Sequence, residues 1–258
     1  MRITLVNPNT SRAMTAKIAV AAQEVAGPDV EIRAVCSSGG PAAVECHVDE
    51  AFAAVAVIDL IERDLLYGGS DAYVIACFGD PGLDAARELV GVPVIGIAEA
   101  AMHVAALSGR SFAVVTTLSR TLGRARDLLK RYGMTQACVS LQGSGIPVLE
   151  LEDTTSAGYE TIARLCEEAV QRQDADVIVL GCAGMADLCH TIGARVGVPV
   201  VDGVAAAVGL ATAMVRMGVG TSKRDEYEPA PRRQACLDTE PRPGVVTLMA
   251  EPSVGGRG

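Results

Sequence analysis

Cys77 and Cys182 stand at matching places in two segments of one chain. Residues 71–94 read DAYVIACFGDPGLDAARELVGVPV, and residues 176–200 read DVIVLGCAGMADLCHTIGARVGVPV. In each, an apolar run of strand character leads to a cysteine. A Gly-containing turn, a helix-like stretch and Gly-Val-Pro-Val follow. A thiol repeated at the end of a repeated strand describes one pocket approached by sulfur from two sides. That arrangement suits moving a proton from one face of a carbon to the other. An unperturbed thiol, with a pKa near 8.5, is already a few per cent thiolate at neutral pH. The dipole and free N–H groups of a following helix are expected to lower it further. One cysteine then serves as base while the other stays protonated as acid, an efficient pairing when the pKa values lie near the operating pH.

The elements that must hold these thiols follow from hydrophobic pattern. Strand-like runs fall at 2–6, 30–35, 72–76 and 93–97, and again at 111–116, 137–141, 177–181 and 198–202. Ala- and Leu-rich stretches with helical spacing lie between and after them, at 11–26, 49–66, 81–90, 99–108, 119–132, 155–172, 184–196 and 204–217. Strands alternating with helices of this length predict βαβ units and parallel sheets. The two sets of four strands align at an offset of about 105 residues, a whole duplicated domain and not a solenoid repeat. The expected fold is α/β, with two pseudo-symmetric domains, each a four-stranded parallel sheet flanked by helices. Residues 1–98 with 204–222 form the first half and 99–203 the second. The Pro-, Gly- and charge-rich residues 229–258 are expected to be a mobile tail, the apolar run VVTLM at 245–249 being the one part that could pack as an edge strand. Ligands of open parallel sheets collect at the carboxyl ends of strands, which places the active site in the interdomain cleft.

Other residues carry weaker signals. Asn9, Thr10 and Ser11, and likewise Thr116, Thr117 and Ser119, follow the first strand of each half; they either cap a helix or face the cleft. Gly39-Gly40-Pro41 reads as a turn. Asp71 and Asp176 open the cysteine strands, away from the cleft. His47, His103 and His190 form no cluster, and Cys36, Cys46, Cys138, Cys166, Cys189 and Cys236 read as small core residues. The formal charge of −9 disfavours nucleic acid. Neither a zinc-type cysteine spacing nor a phosphate-binding glycine loop occurs, so no metal and no cofactor is expected. With no leader-like N-terminus and no run long enough to span a bilayer, the expectation is a cytoplasmic protein with reduced thiols and no membrane association.

The segments NPNTS at 7–11, ACFGDPGLDAAR at 76–87, VVTTLSR at 114–120 and VLGCAGMADL at 179–188 resemble the aspartate/glutamate racemase superfamily, and within it the hydantoin and allantoin racemase group. PVIGIAEAA at 93–101 and GVPVVDGVAAAV at 197–208 extend the likeness to roughly residues 1–223. The resemblance implies a cofactor-independent racemase of 5-monosubstituted hydantoins, with Cys77 and Cys182 as acid and base at C5. It implies a ring cradle from Asn9, Phe78, Gly79, Thr116, Thr117, Ala183 and Gly184, a small hydantoin-type substrate and a homo-oligomer. Neighbouring branches place Asn-Thr or Thr-His after the cysteines to bind a carboxylate. Phe78-Gly79 and Ala183-Gly184 stand here instead, which favours a neutral ring. The alternatives are an amino-acid racemase, a maleate isomerase, an arylmalonate-type decarboxylase, or a non-catalytic thiol redox-sensing binding protein. A decarboxylase of that type keeps only the second cysteine.

Overall fold

The computed structural model describes residues 1–152, 157–229 and 246–248. The first half opens with β1 (Arg2–Asn7), whose residues from Ile3 to Asn7 are all buried, followed by α1 (Arg12–Val25). Then come β2 (Glu31–Cys36), α2 (His47–Leu65), β3 (Ala72–Ile75), α3 (Leu83–Leu89) and β4 (Val94–Gly96). Helix α4 (Ile97–Ser108) leads into the second half. There β5 (Phe112–Thr116), α5 (Leu122–Arg131), β6 (Cys138–Gly143), α6 (Ala157–Gln173), β7 (Val177–Leu180), α7 (Cys189–Val196) and β8 (Val200–Asp202) repeat the order. Helix α8 (Gly203–Met217) follows.

The strands run β4-β3-β1-β2 in one sheet and β8-β7-β5-β6 in the other, all parallel. The orders match strand for strand, as expected of two four-stranded parallel sheets. Even the strand starts are tied alike. Asp71 accepts from the Arg2 backbone N–H at 2.7 Å, and Asp176 from the Arg110 N–H at 3.0 Å.

The first sheet carries one strand more. Val246–Leu248 (β9) pairs antiparallel with β2, Val35 opposite Thr247. This short piece falls inside the segment expected to be a mobile tail; residues 230–245 and 249–258 lie outside the described residues.

Two of the expected helices open in 3₁₀ rather than α geometry. The expected helix at 184–196 opens as a 3₁₀ stretch, Ala183–Leu188, before α7, and the one at 119–132 opens with a 3₁₀ turn, Ser119–Thr121, before α5. Both tight turns directly follow cleft-lining loops, where the backbone turns off the strand end before it settles into α geometry.

Helix α8 returns to the first sheet. Its Val204, Ala207, Val208 and Ala211 join Ile3, Leu5, Val74 and Ile18 in one buried cluster. Its start crosses α4 so closely that a Cβ on Gly203 would lie 2.8 Å from the Ile97 carbonyl oxygen. No helix among the described residues is long and apolar enough to cross a membrane.

That crossing yields the first prediction. Gly203→Ala places a methyl against backbone that cannot rotate away, and overpacking of this kind costs about 1–3 kcal/mol. The melting midpoint should fall by about 2–4 °C for each kcal/mol lost. A midpoint within about 1 °C of the parent would show that α4 and α8 have slack at this point.

Candidate active site

In each sheet the first strand lies between the other two core strands, so the chain reverses direction across the sheet at β1/β3 and at β5/β7. These are the switch points at which crevices open in parallel sheets. The β3 ladder continues one residue past the strand, Ala76 N–H donating to Val6 O at 2.9 Å. Cys77 is therefore the first residue released at the crevice. Gly181 N–H donates to Val115 O at 2.8 Å in the same way, and Cys182 comes next.

Both crevices open on one cleft of about 820 Å³, its mouth included. Cys77, Phe78, Gly79, Cys182 and Ala183 line it from the cysteine turns, and Asn9, Thr116 and Thr117 from the turns after β1 and β5. Gly184 stands just behind. A Cβ there would lie 3.6 Å from the Cys182 sulfur. The nine residues singled out from the sequence thus converge.

The hydrogen bonds of Ser11, Asn9 and Thr116 bear on the choice between cap and cleft contact. Ser11 caps α1, its side chain accepting from Met14 N–H at 3.1 Å. Asn9 is buried inside the turn; its Oδ1 accepts from Asn7 Nδ2 at 2.8 Å and from Ser11 N–H at 2.9 Å. Among the described residues its own Nδ2 donates only to the weak acceptor Met14 Sδ at 3.3 Å, so a better acceptor in the cleft can claim it. The Thr116 hydroxyl donates to Gly181 O at 2.7 Å and locks the second crevice. Gly181 cannot carry a side chain, because a Cβ would sit 2.7 Å from that of Thr116.

The turn after Cys77 is built around Asp80. It holds φ +45°, a left-handed conformation that Asp tolerates better than most residues. Its carboxylate, 3 % exposed, accepts from the N–H groups of Ala98 at 3.0 Å and Glu99 at 2.9 Å, at the α4 N-terminus, and from the Tyr132 hydroxyl at 2.7 Å. Burial raises its pKa to about 6 even so, against the lowering effect of those three donors.

The thiols differ from expectation in one respect. Both were expected to be lowered by N–H groups and helix dipole. Burial instead pushes Cys77 up to about 12 and Cys182 up to about 11. The Gly79 N–H donates to Cys77 and the Gly184 N–H to Cys182, and each opposes the shift without reversing it. These N–H groups serve the sulfurs. The dipole is weak because Cys77 lies a full turn ahead of the seven-residue α3, and Cys182 precedes a 3₁₀ stretch. Glu50 near Cys77 and Glu45 near Cys182 add to the rise, while Lys17 lowers Cys182.

Several cleft residues escaped the sequence reading. Cys46, expected to be a core residue, lines the cleft at the start of α2, as does Glu50; Arg120 and Arg124 line it from the segment around α5. Exposed His47 stands at the mouth. Met14, Val44 and Val148 add apolar lining. Val148 N–H donates to Glu45 Oε1 at 2.8 Å and joins the loops of the two halves over the cleft. A charged residue in the first turn of a helix, the fourth in α2 or the third in α5, carries no sequence signal of its own. Among the described residues, no group of three His, Cys, Asp or Glu side chains is placed to hold a metal ion.

The geometry has counterparts in known proteins. The model of the Asp/Glu/Hydantoin racemase family matches residues 3–211. A hydantoin racemase from Paenarthrobacter aurescens is 40 % identical over 234 residues, covering 91 % of this chain and 99 % of its own. The solved allantoin racemase from Klebsiella pneumoniae is 46 % identical, with a TM-score of 0.88 over 90 % of this chain and 95 % of its own. The allantoin racemase from Pseudomonas fluorescens is 43 % identical, with a TM-score of 0.86 over 90 % of this chain and 98 % of its own. Matched along its length in sequence and fold, and carrying a thiol at each of two equivalent strand ends, the chain belongs to the Asp/Glu/hydantoin racemase family and is an isomerase of the racemase type.

Proposed function

We propose that this chain interconverts the enantiomers of 5-monosubstituted hydantoins without a cofactor, Cys77 and Cys182 exchanging the C5 proton. The observation that carries the reading is the pair of thiols at equivalent crevices of two matched sheets, both opening on one cleft. The likeness to hydantoin and allantoin racemases supports the substrate class.

The chemistry follows from the ring. Its C5 hydrogen lies next to a carbonyl, so its removal gives an enolate. One cysteine, as thiolate, takes the proton and becomes a thiol, while the C–H electron pair moves onto the carbonyl oxygen. The other, as thiol, returns its proton to C5 on the opposite face and becomes the thiolate. Charge is conserved throughout. The Asn9 amide and the Thr117 side chain, both at the cleft wall, are the groups we assign to the ring oxygens. Removing one such donor commonly lowers rate by about 10²–10³. Phe78 and Ala183 close the cradle, and Gly79 and Gly184 steady whichever sulfur is ionised. A neutral ring suits a cleft whose burial already penalises charge.

The division into 1–98 with 204–222 and 99–203 belongs to the same reading, supported by the packing of α8 on the first sheet. Self-association is supported by Val48, Phe52 and Val55, which stand exposed along one stripe of α2. A cytoplasmic setting is supported by the free cysteines among the described residues.

Cys77→Ser and Cys182→Ser should each abolish racemisation while leaving the melting midpoint near the parent's. One of the two should still exchange deuterium into a single enantiomer, since the remaining thiol is a base on its own face. Turnover in both directions by either variant would overturn the two-thiol scheme.

The pH profile gives an independent check. Burial holds both thiols protonated at neutral pH in the free cleft, so the active form with one thiolate grows as pH rises. The logarithm of kcat/KM should climb from pH 7 to pH 9 with a slope near one, still short of a plateau. A plateau beginning near neutrality would mean that one thiol is already ionised.

Activity should also survive dialysis against EDTA, measured as the rate of loss of optical rotation. Loss restored by one specific divalent ion would refute the cofactor-free reading.

A further inference from the structure

Gly79 is pinned from across the cleft. It belongs to the Cys77 turn of the first half, whereas Arg124 stands in the first turn of α5, in the second. Helical side chains lean toward the N-terminus of their helix, which carries this guanidinium out over the turn. Its Nε and Nη2 both donate to the Gly79 carbonyl, at 3.2 and 2.9 Å. Nε also lies 2.5 Å from Glu50 Oε1 in an ion pair whose side chains are 33 % and 19 % exposed. Glu50 comes from the first turn of α2, so three segments meet at one guanidinium.

The ion pair accounts for the glycine. A Cβ at position 79 would come within 3.2 Å of Glu50 Oε1, so the carboxylate favours a residue without one. Glycine brings backbone freedom with it, and residue 79 lies in neither helix nor strand, α3 starting only at Leu83. Yet the N–H of this same residue donates to the Cys77 sulfur. Unless its carbonyl is fixed, that N–H is free to turn away. Gly184, whose N–H serves Cys182, needs no such clamp, because it lies inside the 3₁₀ stretch Ala183–Leu188.

We propose that Arg124 is a positioning residue for Cys77: its two donors on the Gly79 carbonyl keep the Gly79 N–H on the sulfur, so that one half of the molecule sets the basicity of the other half's thiol. This rests on the two-thiol reading and adds a residue to it. Loss of Arg124 acts in one direction. The Gly79 N–H loosens, and the Glu50 carboxylate, which already disfavours the Cys77 thiolate, loses the cation beside it. Cys182 and Asp80 also face Cys77 and disfavour its charge. Cys46, His47 and Arg120 border the same cleft. All of these stay as they are when residue 124 alone is changed.

The test reads the thiols directly. Iodoacetamide reacts with thiolate and not with thiol, so alkylation of the substrate-free protein at about pH 9, followed peptide by peptide in a mass spectrometer, reports each sulfur separately. Arg124→Gln should slow Cys77 by about tenfold or more, the weight of one hydrogen bond to a charged group, and leave Cys182 within about twofold of the parent. Both cysteines slowed alike, or neither slowed, would overturn the proposal. Arg124→Lys keeps the cation without the planar fork and carries the test should the Gln variant fail to fold. Cys77 should again be slowed selectively. A parent-like rate at Cys77 in the Lys variant would mean that charge alone suffices, and the clamp would be refuted.

Turnover gives a second readout. In both variants the rising limb of log kcat/KM against pH should move to higher pH, in step with the slowing at Cys77. A fall in kcat/KM with Cys77 alkylation unchanged would place Arg124 on the substrate and sink the proposal. The underlying reading fails by a different sign: a parent chain that exchanges no C5 proton from any chiral hydantoin in D₂O.

Discussion

One buried carboxylate fixes where the first thiol can be. Asp80 gathers two N–H groups from the start of α4 and the hydroxyl of Tyr132, which follows α5. The Cys77 turn is thereby tied to the helix that links the halves and to the second half itself. The site it occupies admits no alternative at Gly96, where a Cβ would fall 2.2 Å from the Asp80 carboxyl carbon. The N-terminal end of α4 favours negative charge, yet burial still raises the carboxyl to about 6. A buried group with every donor aligned is stiff, and stiffness is what the proposed proton transfer asks of the turn holding this sulfur. Cys182 has no counterpart to this anchor. It relies on Thr116, whose hydroxyl holds Gly181 O, and on a glycine that lets the strands close up. The two halves share a topology while fixing their thiols by different means.

Duplication explains how much could be read directly. Strands and helices recur at the same offset, so each half confirms the other, and the cysteines stand out as a nucleophilic side chain repeated just past the carboxyl ends of matched strands. The matched strand orders then place both at switch points, a consequence of connectivity alone. What could not be read comes from tertiary contact. Glu50 and Arg124 lie in the first turns of helices more than 70 positions apart, and nothing in either helix says that they meet across the cleft. Cys46 looks like any small core thiol until the loop before α2 is seen to border the cleft. The extra strand β9 pairs with an element some 210 residues away in sequence, and its apolar run alone could not name a partner.

The direction of the thiol shifts belongs to the same class. Local sequence promises a helix N-terminus and its N–H groups, which lower a thiol pKa. How much solvent the fold removes is settled only when two sheets, two loops and α1 close around the sulfur. Desolvation acts on the whole charge of a thiolate, whereas one N–H per sulfur returns part of it. The larger effect prevails at both cysteines.

That outcome suits a reaction with no preferred direction. Enantiomers in water have equal free energy, so the proposed two-thiol scheme must pass as readily through one ionised form as through the other. A strongly lowered thiol would trap its thiolate and starve the opposite face of a base. Here burial raises both, to about 12 and about 11, and each sulfur keeps one glycine N–H to steady its anion. Near-matched basicity leaves little bias to be overcome in either direction, and it arises because each thiol occupies the same position in a repeated fold. Their charged neighbours differ, Glu50 and Asp80 standing near Cys77 and Glu45 and Lys17 near Cys182, but at both sulfurs burial is the larger effect.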